Sequence, residues 1–174
     1  MFHDVGSKGY ISLEELKAKE DYPTVERLEK GPIAIIECLQ DIPCNPCQDA
    51  CPVGAIKFSQ QDITGIPLLD QEACLGCKKC ISSCPGQAIF VVDYSFSEEL
   101  GTLTFPYEYL PLPQEGAELP GVSREGKEVC PVTVVKVEQR PNLNKTALVT
   151  IAVPKEYLEI VRFIKYRRDG VSNE

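Results

Sequence analysis

Eight of the nine cysteines in this 174-residue chain fall between Cys38 and Cys84, and most of them recur at a fixed interval. Cys44, Cys47, Cys51-Pro52 and Ala55-Ile56 return as Cys77, Cys80, Cys84-Pro85 and Ala88-Ile89, each 33 residues later. Such self-similarity marks a duplicated unit, so a pseudo-twofold arrangement is expected. In each copy a short helical segment leads through Cys-Pro into a strand, Ala55 to Phe58 and Ala88 to Val92. Ile66-Pro67-Leu68-Leu69, after the Thr64-Gly65 turn, offers a pairing strand. Ile33-Ala34-Ile35-Ile36 reads as a buried strand entering the cysteine region. An odd number of cysteines, crowded into one stretch, fits a secreted disulfide scaffold poorly, and metal is the better reading.

The second copy carries Cys74-x2-Cys77-x2-Cys80-x3-Cys84-Pro85. Bacterial two-cluster ferredoxins ligate 4Fe-4S cores with this spacing, the fourth cysteine serving the other cluster. Residues 33 to 92 on that ground resemble the 2x(4Fe-4S) ferredoxin domain, which implies two 4Fe-4S clusters and two interlocked motifs. One cluster would take Cys74, Cys77, Cys80 and the distant Cys51; the other would take Cys44, Cys47, Cys84 and one more ligand. There the sequence departs from the pattern, because the repeat offset places Asp41 opposite Cys74, and Cys38 lies three residues further back. Thiolate suits a 4Fe-4S iron better than carboxylate, which favours Cys38 with a longer Cys38-x5-Cys44 loop. The competing readings are Asp41 as an oxygen ligand, or a three-iron cluster lacking that corner, with Cys38 a buried strand thiol. Zinc needs only four ligands and leaves the third cysteine of each copy and both Cys-Pro positions unexplained. Disulfides need an oxidising compartment for which the sequence gives no signal.

Gly76 and Asn45 lie between the first two cysteines of their loops, and both residue types tolerate left-handed backbone. Loops of this kind aim backbone N–H groups at sulfur, which tunes the reduction potential. Pro52 and Pro85 fix the exit geometry, and Ile56, Phe58, Ile89 and Phe90 read as an apolar shell that limits solvent access. Cys130, within Val129-Cys130-Pro131-Val132, reads as a structural strand residue. The single histidine, His3, is read as neither ligand nor base.

The flanks complete an α+β chain: a ferredoxin-like two-cluster domain with a helical N-terminal arm, then a small all-β barrel and a C-terminal helix. Residues 1–32 form the arm, 33–94 the cluster domain, 95–153 the barrel or sandwich and 154–174 the helix and tail. Ser12 with Glu15 is a capping box that opens a helix through about Lys19. A second helix begins near Pro23, carries Val25 and Leu28 on one face and ends at Gly31-Pro32. Alternating runs at Leu103 to Tyr109, Val129 to Val137 and Ala147 to Val153, separated by Gly, Pro and Asn turns, predict the barrel. From Lys155 to about Arg168, Tyr157, Leu158, Val161 and Ile164 fall at helical spacing, with acids early and Lys165, Arg167 and Arg168 late.

A net charge of −8 and a pI near 4.8 leave no basic face for nucleic acid. Two clusters would take the charge to about −12, which steers a partner with a basic patch. No apolar run approaches a membrane span, and the first residues lack the regions of a secretory signal, so a cytoplasmic protein is expected. There is no glycine-rich dinucleotide fingerprint, no nucleophile and base pair and no three-cysteine radical motif. A self-contained enzyme is therefore a poor reading.

The arm, the cysteine domain and Phe105-Pro106-Tyr107-Glu108-Tyr109-Leu110-Pro111-Leu112-Pro113 together resemble the small ferredoxin-type subunits that accompany FAD-dependent amino-acid or amine dehydrogenases of anaerobic bacteria. In that family the companion flavoproteins resemble hydroxyproline dehydrogenase and sarcosine oxidase. The resemblance implies an electron-transfer subunit beside a FAD- or FMN-containing dehydrogenase, with room for a further iron–sulfur subunit. A free soluble carrier is the alternative, but about half the chain lies outside the cysteine framework, and docking surfaces explain that length best.

Overall fold

The computed structural model describes residues 8–39, 41–60, 63–139, 141–143 and 145–165. His3, Arg167, Arg168 and Gly170 lie outside them.

The arm holds two one-turn helices. α1 (Leu13–Lys17) starts at Ser12, whose hydroxyl accepts from the Glu15 N–H while the Glu15 carboxylate accepts from the Ser12 N–H. This is the expected capping box, which satisfies two helix-end donors reciprocally. α2 (Val25–Glu29) is capped by Thr24 rather than started at Pro23, and its inner face carries Arg27 and Leu28. Val25 is 67% exposed, so the expected Val25–Leu28 face is corrected: a charged side chain takes the inward position.

The repeat is visible in the strand pairing. β1 (Ile33–Ile36) pairs with β4 (Ile89–Asp93), and β2 (Ile56–Phe58) pairs with β3 (Pro67–Leu69), both antiparallel. Ile36 faces Ile89 and Leu69 faces Ile56, positions that exchange under the 33-residue offset. Each copy thus supplies one strand to a ladder with the other copy. The connecting helices, α3 (Pro46–Asp49) and α4 (Lys79–Ser83), sit at equivalent positions.

The remaining strands are β5 (Leu100–Tyr107), β6 (Glu118–Ser123), β7 (Glu128–Glu138), β8 (Ala147–Pro154) and β9 (Val161–Ile164). They do not form a separate barrel. All join β1 and β4 in one seven-stranded sheet, ordered β1-β4-β5-β8-β7-β6-β9. The sheet is continuous across Ser95, because β4 and β5 pair on either side of that turn. β5 and β8 run fully buried through its middle, with Leu103, Phe105, Val149, Ile151 and Val153 at the centre of the core. Both faces of these strands are buried, and the buried Thr104 and Thr150 hydroxyls satisfy each other across the β5–β8 pair at 2.9 Å.

The sheet stays open but curls until its edges meet. Glu37, just past β1, accepts from Arg124, just past β6, and from Arg162 on β9, each at 2.6 Å. Arg162 also lies over the Phe90 ring of β4, 5.6 Å from its centroid, and Phe163 stacks on Tyr107 of β5 at 5.5 Å.

The expected C-terminal helix is corrected as well. Lys155–Tyr157 is a single 3₁₀ turn, and Val161–Ile164 is an edge strand on β6. Val161 and Ile164 are buried in this strand, and Ile164 pairs with Gly121, where a Cβ would meet Val132 at 2.7 Å and Val161 at 3.2 Å.

Candidate metal centres

The eight clustered cysteines gather into two chambers of four. One is lined by Cys38, Cys44, Cys47 and Cys84, the other by Cys51, Cys74, Cys77 and Cys80. They are close in size, with about 370 Å³ and 340 Å³ of empty space, open mouths included. None of the nine cysteines is disulfide-bonded.

Local chain direction explains the exchange. After α3 the chain passes Cys51-Pro52 and turns into β2, whose partner β3 leads directly to the Cys74 loop. Cys51 therefore stands with the second copy. After α4 the chain passes Cys84-Pro85 into β4, which pairs with β1, the strand that leads into Cys38. Cys84 therefore stands with the first. The apolar shell follows the same exchange: Ile56 lines the second chamber, and Phe58 and Ile89 line the first. Phe90 lines neither and lies under Arg162 instead, which corrects its place in that shell.

Cys38, not Asp41, lines the first chamber, and Asp41 is exposed. A copied structural feature falls on the two crossing cysteines. The Ala55 N–H donates to Cys51 Sγ at 3.2 Å, and the Ala88 N–H donates to Cys84 Sγ at 3.4 Å. Donors at sulfur favour the charged form of a thiolate.

Gly76 adopts the left-handed conformation at φ +60°, and a Cβ there would lie 2.6 Å from the Pro32 carbonyl oxygen. Asn45 does not adopt it, with φ −134°. The left-handed residue at the corresponding point of the second loop is Lys78, φ +71°, whose ammonium reaches Glu138 of β7 and Thr150 of β8. The long sheet thereby covers the back of the second cysteine loop.

Burial pushes the Cys47 thiol up to about 11, with added repulsion from Cys84, Cys44 and Cys38. Burial likewise pushes Cys80 up to about 12, with repulsion from Cys74, Cys77 and Cys51. In each chamber the raising neighbours are the other three cysteines. Four cysteines crowded out of water resist ionisation on their own; iron held by them would offset that cost and displace the thiol protons. Among the described residues no three Cys, His, Asp or Glu side chains converge where a lone metal ion would sit. Four sulfurs around an open chamber fit an extended inorganic core better than zinc, and the donor set is the all-thiolate one such cores prefer.

Cys130 is on β7, opposite Gly121 and away from both chambers, as a strand residue. Two features had no sequence signal. Arg27 sits in an apolar helix face yet binds the carbonyl of Cys74, and Glu37 joins Arg124 and Arg162 across more than eighty residues of chain.

Residues 42–93 match the family model of the 4Fe-4S dicluster domain. The chain is 42% identical over 62 residues to the ferredoxin-type protein NapF of Haemophilus influenzae, covering 34% of this chain and 35% of NapF. It is 40% identical over 63 residues to the nitrate reductase beta chain of Bacillus subtilis, 36% of this chain and 12% of that one. A longer match, 28% identical over 148 residues, covers 75% of this chain and 23% of protein Pixie of Drosophila melanogaster. The chain spans less than half the length of these relatives. No solved structure matches it. Residues 42–93 are a 4Fe-4S dicluster domain related to those of reductase iron–sulfur subunits, and the protein carries two 4Fe-4S clusters.

Proposed function

We propose that the chain is an electron-transfer subunit that relays electrons from a FAD- or FMN-containing dehydrogenase, in the cytoplasm, with or without a further iron–sulfur subunit in the assembly. Cys38, Cys44, Cys47 and Cys84 hold one cluster; Cys74, Cys77, Cys80 and Cys51 hold the other. The observation that carries this reading is the crossed pair of four-cysteine chambers, which sets two redox centres side by side on one small scaffold. Each bound cluster supplies one-electron chemistry between its 2+ and 1+ states.

The chain's own residues hold the thiolates in place, exclude water with Ile56, Phe58 and Ile89, and donate the Ala55 and Ala88 amides to sulfur. No helix among the described residues is long and apolar enough to cross a membrane. Relatives named as chains of multi-subunit reductases, such as the nitrate reductase beta chain, support a role as a subunit. The arm of residues 1–32 and the strands beyond residue 94 are then docking surfaces as well as cover.

Anaerobic material should contain about eight irons and about eight sulfides per chain, and reduction should produce paramagnetic signals from two interacting clusters. Cys38→Ser should damage the first cluster and Asp41→Ser leave it intact. Affinity purification from the native cell should bring down a flavoprotein. A monomer that exchanges electrons with several unrelated partners and retains none would replace the subunit reading with that of a free carrier; colourless or zinc-loaded material would overturn both.

A further inference from the structure

Arg27 is 8% exposed, and the described partners of its guanidinium are all backbone carbonyls. Its Nε donates to Gln71 O at 2.8 Å, its Nη1 to Gly31 O at 3.3 Å, and its Nη2 to Pro32 O at 3.3 Å and Cys74 O at 2.8 Å. Among the described residues no carboxylate pairs with it. A buried guanidinium without an anion is costly, and the four carbonyls offset only part of that cost because dipoles neutralise no net charge. The remaining positive charge bears on the loop that carries Cys74 into the second chamber.

The place of this cation in the chain matters. It comes from the arm, outside the duplicated unit, so the repeat supplies no counterpart to the first cysteine loop. The arm is locked onto the second loop from two sides: Arg27 binds the Pro32 and Cys74 carbonyls, and Gly76 closes on Pro32 so tightly that any Cβ would collide with it. The Asp21 carboxylate accepts from the Leu69 N–H at 3.0 Å, and Gln71 bridges the Thr24 N–H and the Tyr22 carbonyl. The arm therefore holds the guanidinium in a fixed position.

We propose that Arg27 is a positioning and tuning residue whose buried charge raises the reduction potential of the cluster held by Cys74, Cys77, Cys80 and Cys51, making the arm an electrostatic part of that centre. The inference rests on the two-cluster reading above. Reduction adds one negative charge to a cluster, and a nearby cation in a medium of low effective dielectric favours the reduced form. The first cluster lies outside its direct grip.

The test is an anaerobic redox titration followed by EPR on wild type, Arg27→Gln and Arg27→Lys, with signals assigned through Cys77→Ser and Cys44→Ser. Iron and sulfide content of the wild type tests the two-cluster reading separately. In Arg27→Gln, at the wild-type midpoint, the ratio of reduced to oxidised second cluster should fall at least tenfold, which for a one-electron couple is 59 mV. The first cluster should not move, and Arg27→Lys should restore most of the loss. The proposal is overturned if both clusters of fully loaded Arg27→Gln titrate as in wild type, if both shift equally, or if Arg27→Lys falls as far as Arg27→Gln. Should Arg27→Gln fail to load iron, Arg27→Lys decides alone: a retained potential supports charge as the cause, and a tenfold fall rejects it.

Discussion

Replacing Glu37 with Gln removes the one anion shared by two buried arginines at the closing edges of the sheet. Glu37 Oε1 lies 2.6 Å from both Arg124 Nη2 and Arg162 Nε, and its Oε2 lies 3.0 Å from Arg124 Nε. The three side chains are 9%, 8% and 4% exposed. The Arg162 Nη1 is satisfied by the Leu158 and Val161 carbonyls, but its buried Nη2 has no hydrogen-bond partner. Arg162 has no other direct ion-pair partner among the described residues. Breaking a buried pair by deleting one partner costs about 3–5 kcal/mol. A protein of this size loses about 2–4 °C in Tm per kcal/mol, so Glu37→Gln should melt roughly 6–20 °C lower. The assay is an anaerobic thermal melt followed by far-UV circular dichroism and cluster absorbance, with wild type and variant scanned at the same rate. A second variant separates charge from packing: Glu37→Met with both Arg124→Met and Arg162→Met should recover much of the loss, since well-packed apolar replacements of a whole buried ionic group are often neutral. High salt should do little to the wild type because the group is screened from solvent. A Glu37→Gln protein melting within about 2 °C of wild type, under half of what a 3 kcal/mol loss would give, would refute the claim that this carboxylate holds the edges together.

Cys51→Ser should cripple the second cluster although it lies in the first repeat, and Cys84→Ser the first; EPR with iron quantification reads which centre is lost, and the uncrossed outcome rejects the exchange. Gly76→Ala should cost at least about 1–2 kcal/mol from the left-handed backbone alone, with further loss from the collision with Pro32, and should lower second-cluster occupancy before the first. Acid should destabilise the fold through Glu37 and Glu159. Burial works against ionisation of both, but Arg162 and Arg124 at Glu37, and Lys17 and Tyr22 at Glu159, hold the two carboxyls below the ordinary range. A depressed carboxyl contributes stability that is fully present above the unfolded value of about 4.3. That contribution is lost as pH falls through the lower folded value. Melts from neutral to acid pH should show it, with a weaker acid response in Glu37→Gln.

The gathering of eight cysteines into two chambers is legible because sulfur spacing carries its own geometry: the cysteine positions and the 33-residue offset leave little freedom. The short strands flanking it were legible from apolar runs with turn residues between them. Past Asp93 the reading weakened for a physical reason. Tyr157, Leu158, Val161 and Ile164 satisfy helical spacing, yet Val161 and Ile164 are equally buried in a strand, and only pairing with β6 decides. β6 itself was hidden because its sequence, ELPGVS, carries a Pro-Gly pair that usually marks a turn. With neither strand visible in the sequence, the runs beyond Asp93 suggest a barrel standing apart, whereas they join both parts of the chain in one sheet. Arg27 and Arg162 carry no sequence signal because a charged side chain counts as solvent-facing until its distant partners, Cys74 and Glu37, are placed.

β4 belongs to two structures at once. It leaves the second cysteine loop as the partner of β1 and is also hydrogen-bonded to β5, so it stands second in the seven-strand order. Loss of the cluster held through Cys84 should therefore loosen a strand that also pairs with β5, so that the effect of iron removal reaches the strands beyond residue 94.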